Sequence, residues 1–333
     1  MDRVEEKAVA APAVPVPGLR VDKRAADAVV WLLLLTAPFW LPLIGGYVQL
    51  GSRILVIALA AMALNFLLGY TGVLSFGHAA YFGLGAYGAA MTVAYIYPST
   101  PLAMLVGVVV GTVAGAVIGP LITRLRGVYF AMCTIAFGQV FYYIAFQWSS
   151  VTHGDDGLSG WYRPPIDFGF ATLDILHDGY AFYYMALAVF AVSAAVMAFL
   201  LRSPFGRTLL AIRENERRAR FLGIPVDCHI WMSWVISCFF ASVAGALYAL
   251  LNNFVDPRAL RWDMSGNFVI MAVLGGMRNF WGPLIGTAIF IVLQDYISSH
   301  TENWMSFIGL FFVLIVLFFP RGVLGMIRRR SAS

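Results

Sequence analysis

Apolar stretches long enough to cross a lipid bilayer recur along the whole of this 333-residue chain. A helix needs about 20 apolar residues to span the hydrocarbon core, because it rises only about 1.5 Å per residue. Charged residues make up only 12% of the chain, where a soluble domain typically carries about 25%. A water-soluble fold cannot bury this much apolar surface. We therefore predict an all-α polytopic integral membrane protein.

Turn-forming residues divide the apolar sequence into about ten segments, some of them glycine-broken or re-entrant. We place these segments near 28–46, 54–69, 79–97, 102–122, 127–148, 180–201, 229–251, 266–276, 281–298 and 304–319. The 266–276 segment is too short to cross the bilayer, so it must join its neighbour, be re-entrant or lie against other helices. We expect a flexible cytoplasmic tail over 1–27, a membrane domain over 28–326 and a basic cytoplasmic tail over 327–333.

The positive charges fall mainly on one side of the predicted membrane domain. If the N-terminus is inside, most of the 22 lysines and arginines fall in inner loops and tails. Such an asymmetry sets the orientation of membrane proteins, so we expect both termini to be cytoplasmic. The loop 149–179 is then outside and the loop 202–228 is inside. This distribution explains the net charge of +5, so the charge does not indicate nucleic-acid binding.

Motifs for catalysis, nucleotide binding and metal binding are missing from the sequence. The only lysines, Lys7 and Lys23, lie in the N-terminal tail, and the chain has no G-x-x-x-x-G-K-[ST] motif to bind ATP phosphates. The predicted spans also lack the deep carboxylates that proton-coupled carriers use. We therefore predict no catalytic residue, no metal and no cofactor in this chain, and an energy source outside it.

The stretch GYTGVLSFGHAAYFGLGAYGAA, residues 69–90, places many glycines and a few polar residues inside an apolar region. The glycines are typical of close helix packing. The polar part, GYTGVLSFGH, is also typical of unwound backbone before a new helix, which is tolerated at membrane depth only against protein or water. Both interpretations can hold, and the second predicts a substrate pathway at Tyr70, Thr71, Gly72, Ser75, Gly77 and His78. A second interrupted segment, 273–288, resembles the first loosely, and we expect both breaks on the inner side.

The inner loop contains RSPFGRTLLAIRENERRARFLGIPVD, which predicts a single capped helix over 204–222. Ser203 is expected at the N-cap and Pro204 at the first helical position. Gly223 suits the position just past the end of the helix, and Pro225 prevents its continuation.

This predicted helix is amphipathic. Its apolar side consists of Leu209, Ile212, Ala219 and Leu222. Glu216 and Arg220 are spaced for an ion pair one turn apart. The arginines alone would serve to fix the topology, but a capped helix with an apolar side favours binding to a partner groove or the lipid surface. Because the chain cannot bind ATP itself, a partner ATPase is the natural occupant.

Five blocks of the sequence together carry a family resemblance. They are LGYTGVLSFGHAAYFGLGAYGAA, GDDGLSG, SPFGRTLLAIRENERRARFLGI, FFASVAGALYA and FFPRGVLG. In this order they resemble the membrane permease subunit of bacterial branched-chain amino-acid ABC importers, the LivM type. The resemblance spans roughly residues 50 to 326. The chain departs from the family pattern at Arg278 and Asn279, where small residues are usual, and at His153, where glycine is common.

The resemblance implies an importer of branched-chain, hydrophobic amino acids that works by alternating access in the bacterial inner membrane. The implied partners are a second homologous permease, two cytoplasmic ATP-binding subunits that bind ATP and Mg, and a periplasmic substrate-binding protein. The predicted inner helix would couple to the ATPases through Gly206, Arg213, Glu214, Asn215, Glu216, Ala219 and Gly223. The binding protein would dock on the outer loop around Asp155, Asp156 and Trp161.

Three alternatives remain open at this point. A permease of the same family for urea, amides or aromatic acids differs only in its substrate. A self-sufficient carrier or channel would need no partner on the inner helix. A membrane enzyme is disfavoured because Ser75 and His78 lack a third member for a catalytic triad.

Overall fold

The computed structural model describes residues 23–167, 172–173, 178–277, 279–318 and 322–323. Within these residues the chain forms thirteen α-helices: α1 (Lys23–Trp40), α2 (Val48–Tyr70), α3 (His78–Met91), α4 (Thr100–Ile122), α5 (Val128–Gln147), α6 (Ser149–Thr152), α7 (Gly179–Arg202), α8 (Pro204–Glu214), α9 (Glu216–Phe221), α10 (Val226–Asn252), α11 (Trp262–Gly275), α12 (Gly282–Ser298) and α13 (Trp304–Phe318). A π-helical turn, Thr92–Ile96, extends α3, and 3₁₀ turns lie at Pro42–Ile44, Gly154–Asp156 and Pro257–Leu260. Two strands of two residues each, Ile166–Asp167 and Thr172–Leu173, pair antiparallel before α7.

The predicted all-α membrane fold is confirmed. Six helices are long and apolar enough to cross a membrane, namely α2, α3 with its π-helical extension, α4, α5, α7 and α10. The helices α1 and α12 are apolar but shorter. Each of the ten predicted segments contains one helix, and the chain is a multi-pass membrane protein.

The first predicted span differs from the observed helix at both ends. Helix α1 begins at Lys23 and ends at Trp40, whereas we predicted a tail through residue 27 and a span over 28–46. Proline has no N–H to continue a helix. Pro38 lies in the last turn of α1 and Pro42 is the first residue of a 3₁₀ turn, so the end of the predicted span is not α-helical. Residues 1–22 of the predicted N-terminal tail and the whole predicted C-terminal tail, 327–333, lie outside the described residues.

Helix α10 forms the centre of the bundle, with α2, α3 and α4 packed around it. The buried face of α4 carries a glycine every four residues, at Gly107, Gly111, Gly115 and Gly119. A Cβ on Gly111 would lie 2.1 Å from the Ser242 hydroxyl oxygen, and one on Gly115 would lie 2.7 Å from Cβ of Cys238. Small residues therefore set the distance between α4 and α10, as is common in membrane helix pairs.

The same packing joins α3 to α10 and confirms one of the two interpretations of the glycine-rich stretch. A Cβ on Gly85 would lie 2.4 Å from the Ser242 carbonyl oxygen, and one on Gly245 would lie 1.8 Å from the Phe82 carbonyl oxygen. These obstacles are backbone atoms, which cannot swing aside as a side chain can. The glycines from Gly83 onward thus serve the close approach of α3 to its neighbours.

Helices α11 and α12 form a tight hairpin. A Cβ on Gly275 would lie 1.7 Å from the Gly282 carbonyl oxygen, and one on Gly286 would lie 1.9 Å from that of Met271. Helix α11 has 14 residues and is about 21 Å long, too short to cross a core of about 30 Å. Of the alternatives for this segment, the structure shows a helix that joins its neighbour α12 and lies against α2 and α3.

The glycine contacts predict unequal effects of the same substitution at two sites. Gly245→Ala forces α3 and α10 apart, so we expect the free energy of unfolding to fall by about 3 kcal/mol or more. Gly266→Ala in α11 meets no atom within 4 Å and should be neutral or stabilising by about 1 kcal/mol. Thermal unfolding in detergent measures both. Equal effects of the two variants would contradict this account of the packing.

Candidate functional site

The chain leaves helical geometry between α2 and α3, over residues 71–77, as the second interpretation of the glycine-rich stretch predicts. We call this segment the 71–77 break. Gly72 has a φ of +80°, a conformation that favours glycine. Helix α3 then starts afresh at His78.

The backbone N–H groups at the start of α3 are bound by hydroxyl groups. Phe76 N–H donates to Thr134 Oγ1 at 3.2 Å and Gly77 N–H donates to Ser75 Oγ at 3.2 Å. Ala79 N–H donates to Ser265 Oγ at 2.8 Å. A buried N–H without a partner is costly, so these bonds allow an interrupted helix to exist inside the bundle.

The polar side chains of the break also pair with α10. Thr71 Oγ1 and Ser233 Oγ are 2.8 Å apart, and His78 Nε2 lies 2.6 Å from Ser237 Oγ. Ser237 donates its only hydroxyl proton to the Ala63 carbonyl, so Nε2 of His78 must carry the ring proton. Nδ1 of His78 is buried and has no hydrogen-bond partner among the residues that the structure describes.

The six predicted pathway residues are thus close together, and the polar side chains of the break are buried in this conformation, whereas Gly72 is exposed. Thr71, Ser75 and His78 are at most 3% exposed. Tyr70 lines only a small cavity of about 10 Å³, which Asn65 also lines. Their role in a pathway stays a prediction.

Gly69, at the end of α2, and Gly72, in the break, each pack closely against a neighbouring element. A Cβ on Gly69 would lie 2.3 Å from the Met277 carbonyl oxygen, in the turn between α11 and α12. The Arg213 guanidinium of α8 donates to the Gly69 carbonyl, and its Cγ would lie 2.9 Å from a Cβ on Gly72. Both interrupted segments therefore meet beside Arg213, at one end of the bundle. Arg278 itself lies outside the described residues.

The prediction of one helix over 204–222 is wrong. Asn215 has an extended backbone, with φ −158° and ψ 98°, and divides the segment into α8 and α9. Its side chain accepts a hydrogen bond from Arg218 N–H at 2.9 Å, so it caps α9. Ser203 does not act as the predicted side-chain cap, because its hydroxyl donates back to the Leu200 carbonyl at 2.6 Å.

The end of α9 follows the prediction. Gly223 has a φ of +78° and its N–H donates to the Arg220 carbonyl at 3.0 Å. Ile224 N–H donates to the Ala219 carbonyl at 3.2 Å, which completes a Schellman motif. At the start of α8, a Cβ on Gly206 would lie 2.3 Å from the Leu201 carbonyl oxygen, so only glycine fits the corner with α7.

The apolar side of this loop divides between the bundle and solvent. Leu209, Ile212 and Ala219, which were predicted on a side that faces a partner or lipid, are buried against the bundle instead. Leu222, predicted on the same side, is 73% exposed, and neighbouring Phe221 is 84% exposed. Both residues lie beside the exposed Arg217 and Arg218. Sequence analysis missed Phe221, although its position next to Leu222 is a signal.

The opposite end of the bundle carries the 149–179 loop. Leu158 pairs with Val255 through two backbone hydrogen bonds, which fix the loop to the end of α10. Asp155 and Asp156 are exposed, whereas Trp161 is buried and donates to the Leu158 carbonyl at 3.3 Å. A cavity of about 460 Å³ opens here, lined by Val93, Ala94, Tyr95, Pro98, His153, Leu158, Ser159, Gly160, Trp161 and Tyr162.

His153 adopts a left-handed backbone with φ +61°, a conformation in which glycine carries no steric cost. This explains physically why glycine suits the position. The ring Nε2 lies 3.3 Å from the Tyr95 hydroxyl, which also donates to the Val151 carbonyl at 3.2 Å. The imidazole therefore closes one side of the cavity.

Among the described residues no group of His, Cys, Asp and Glu could hold a metal ion.

Comparison with known proteins gives consistent relatives. Residues 46–317 match the family model of the permease component of branched-chain amino acid transport systems. The chain is 27% identical over 319 residues to the high-affinity branched-chain amino acid transport permease LivM of Salmonella typhimurium, covering 89% of this chain and 74% of that one. The LivM protein of Escherichia coli is 25% identical over 346 residues, covering 97% and 80%. A probable LivH permease of Methanocaldococcus jannaschii is 25% identical over 265 residues, covering 76% and 79%. No solved structure matches the chain.

The hydroxyl contacts at the break predict a site-specific cost. Thr134→Val removes the acceptor of Phe76 N–H, so we expect the free energy of unfolding to fall by about 1–3 kcal/mol. Thr112→Val is the control, because the Thr112 hydroxyl donates only within its own helix, to the Val108 carbonyl, and should change stability by less than about 0.5 kcal/mol. Thermal unfolding in detergent compares them. No difference between the two would show that the break does not depend on Thr134.

Proposed function

The chain belongs to the family of branched-chain amino acid transport permeases, and on that premise we propose that it is a translocation subunit of an ATP-driven importer of branched-chain amino acids. The family match covers 46–317. Relatives named LivM and LivH both align with the chain, which supports pairing with a second homologous permease. The subunit transports solute without being an enzyme, while ATP and Mg bind to two partner ATPases.

The observation that carries this proposal is the contact of Arg213 with the 71–77 break. Arg213 belongs to α8, yet its guanidinium binds the Gly69 carbonyl and its stem lies under Gly72. Gly69 in turn packs on Met277, in the second interrupted segment. A displacement of α8 therefore acts on both interruptions at once. Arg213 couples through the bundle interior, not through direct contact with a partner.

The partner side of the same loop is α9 and the residue after it. Phe221 and Leu222 are exposed beside Arg217 and Arg218, which are also exposed. A loop that only fixed topology would need charge but no exposed aromatic. We assign this surface to a cytoplasmic ATPase, so both termini of the chain are cytoplasmic.

The opposite end then faces the periplasm across the inner membrane. Exposed Asp155 and Asp156 are available to a substrate-binding protein, whereas buried Trp161 shapes the cavity wall. A cavity of about 460 Å³ is of the size that small ligands occupy.

The burial of the polar side chains of the break supports a mechanism of alternating access. The proposed cycle opens the 71–77 break to one side of the membrane at a time, as α8 moves with the ATPases. A change from 1:99 to 99:1 in a two-state equilibrium requires about 5.5 kcal/mol, which ATP binding to partners can supply. Breaking the hydroxyl contacts of Phe76 and Ala79 is part of this cost.

Reconstitution tests the function. We expect the chain to copurify with a second permease and two ATPases, and the complex in proteoliposomes to accumulate leucine, isoleucine or valine only with ATP and a binding protein. Competition with urea and acetamide tests the substrate class. A chain that purifies alone and transports without ATP would contradict the proposal.

The role of Arg213 gives a sharper variant test. Arg213→Ala removes the contact with Gly69 and Gly72, so uptake should fall at least about fivefold while the complex still assembles and hydrolyses ATP. Arg207→Ala is the matched control, on the exposed side of the same helix. Uptake that is equal in the two variants would remove Arg213 from the coupling route.

A further inference from the structure

A network of four charged side chains joins the turn between α4 and α5 to the start of α10. Arg126 Nε lies 2.9 and 3.0 Å from the two carboxylate oxygens of Glu216. A second nitrogen of Arg126 donates to Asp227. Arg220 binds the same two carboxylates, at 3.0 Å to Glu216 and at 2.8 and 3.1 Å to Asp227. We call these four residues the Arg126 network.

The network is a closed arrangement in which each carboxylate contacts both arginines. An exposed ion pair alone contributes only about 0–1 kcal/mol, but shared charges with good geometry define a position more firmly. Hydrogen bonds to Asp227 and Glu216 raise the pKa of Arg220 above its usual range. The side chains are 31–53% exposed, so dissolved salt can weaken the network.

Arg126 is also fixed to its own turn. Its guanidinium donates to the Thr123 carbonyl and, at 2.9 Å, to the Leu125 carbonyl, both at the end of α4. Cationic donors commonly satisfy the last carbonyls of a helix. Gly127, with φ +59°, then turns the chain directly into α5. A displacement of Glu216 in α9 is therefore transmitted to the start of α5.

Helix α5 leads from this turn to the break. It begins at Val128, and Thr134 accepts the hydrogen bond from Phe76 N–H. A Cβ on Gly77 would lie 2.2 Å from the Thr134 carbonyl oxygen, so the two backbones are in contact. Much of the surface of α5 is exposed in the single chain, and α3 and α11 are among the elements that it contacts.

We propose that Arg126 is a positioning residue that couples movement of α9 to α5 and through Thr134 to the 71–77 break. This route is separate from that of Arg213, which acts through α8. The inference rests on the proposed function, because the movement of α9 comes from partner ATPases. It assigns a transport role to Arg126, whose presence in an inner loop could also be explained by membrane topology alone.

The test uses the reconstituted complex with its ATPases and binding protein. We expect Arg126→Gln to lower the number of leucine molecules imported per ATP hydrolysed by about fivefold, the lower end of typical coupling between sites. Arg124→Gln is the matched control, because Arg124 lies two residues away, is exposed and has no ion-pair partner among the described residues. Its ratio should equal that of the unmodified complex.

A double-mutant cycle separates coupling from a general loss of structure. If Arg126 acts through Glu216, Arg126→Gln combined with Glu216→Gln should lower the ratio less than the product of the single effects, whereas Arg124→Gln with Glu216→Gln should be multiplicative. Independent effects of Arg126 and Glu216 would overturn the inference.

The dependence on salt concentration tests the Arg126 network in complexes that are already folded and assembled. Raising NaCl from 0.05 to 0.5 M shortens the Debye length roughly threefold and so screens exposed charges. The number of leucine molecules imported per ATP should then fall in the unmodified complex and in the Arg124 variant. The ratio of the Arg126 variant should be low and constant. A parallel fall in all three would overturn the inference, while absence of ATP-dependent uptake in the unmodified complex would overturn the proposed function itself.

Discussion

Every backbone N–H buried in an apolar bundle needs a hydrogen-bond partner, and this requirement governs the whole site. At the 71–77 break the partners are hydroxyls from three places: Ser75 in the break, Thr134 in α5 and Ser265 in α11. The interrupted helix is therefore stable only while these helices keep their positions. A movement of α5 or α11 necessarily disturbs the break, which makes the break sensitive to distant changes.

The second requirement is that something outside the bundle can move these helices. Two contacts connect the 202–228 loop to the break and to α5. Arg213 in α8 binds Gly69 directly, and Glu216 in α9 binds Arg126 at the foot of α5. Asn215 separates α8 from α9, so the two short helices can approach different parts of the bundle. On the proposed function, the corner at Asn215 would let one partner surface act on the break through two routes.

The sequence predicts the architecture well where the signal is local. Ten apolar segments, the interruption after Tyr70 and the Schellman end at Gly223 each follow from residues that are neighbours in the chain. The packing role of Gly85 could also be predicted, because glycine density within a span indicates close helix contact.

The rest depends on contacts between distant residues. Arg213 and Gly69 are 144 positions apart, and Ala79 and Ser265 are 186 apart, so no local pattern indicates these pairs. The corner at Asn215 was missed because flanking glutamates and arginines favour continuous helix, while the capping bond to Arg218 overrides that preference. For the same reason the predicted single apolar side is divided, with Leu209 buried and Leu222 exposed. Ser233 and Ser237, one turn apart in the middle of the mainly apolar α10, were an available signal for the polar contacts of the break.

The central claim is that the buried break becomes accessible from one side of the membrane at a time. Ser75 is fully buried, so a cysteine placed there, in a chain whose Cys133, Cys228 and Cys238 are replaced, should resist a membrane-impermeant maleimide in the closed state. During ATP turnover with binding protein it should react from only one side in each trapped nucleotide state. Ser159→Cys, exposed at the opposite end, should react from the outer side in every state in which the binding protein is not docked. A cysteine at position 75 that never reacts, or that reacts from both sides in a single state, would contradict the account.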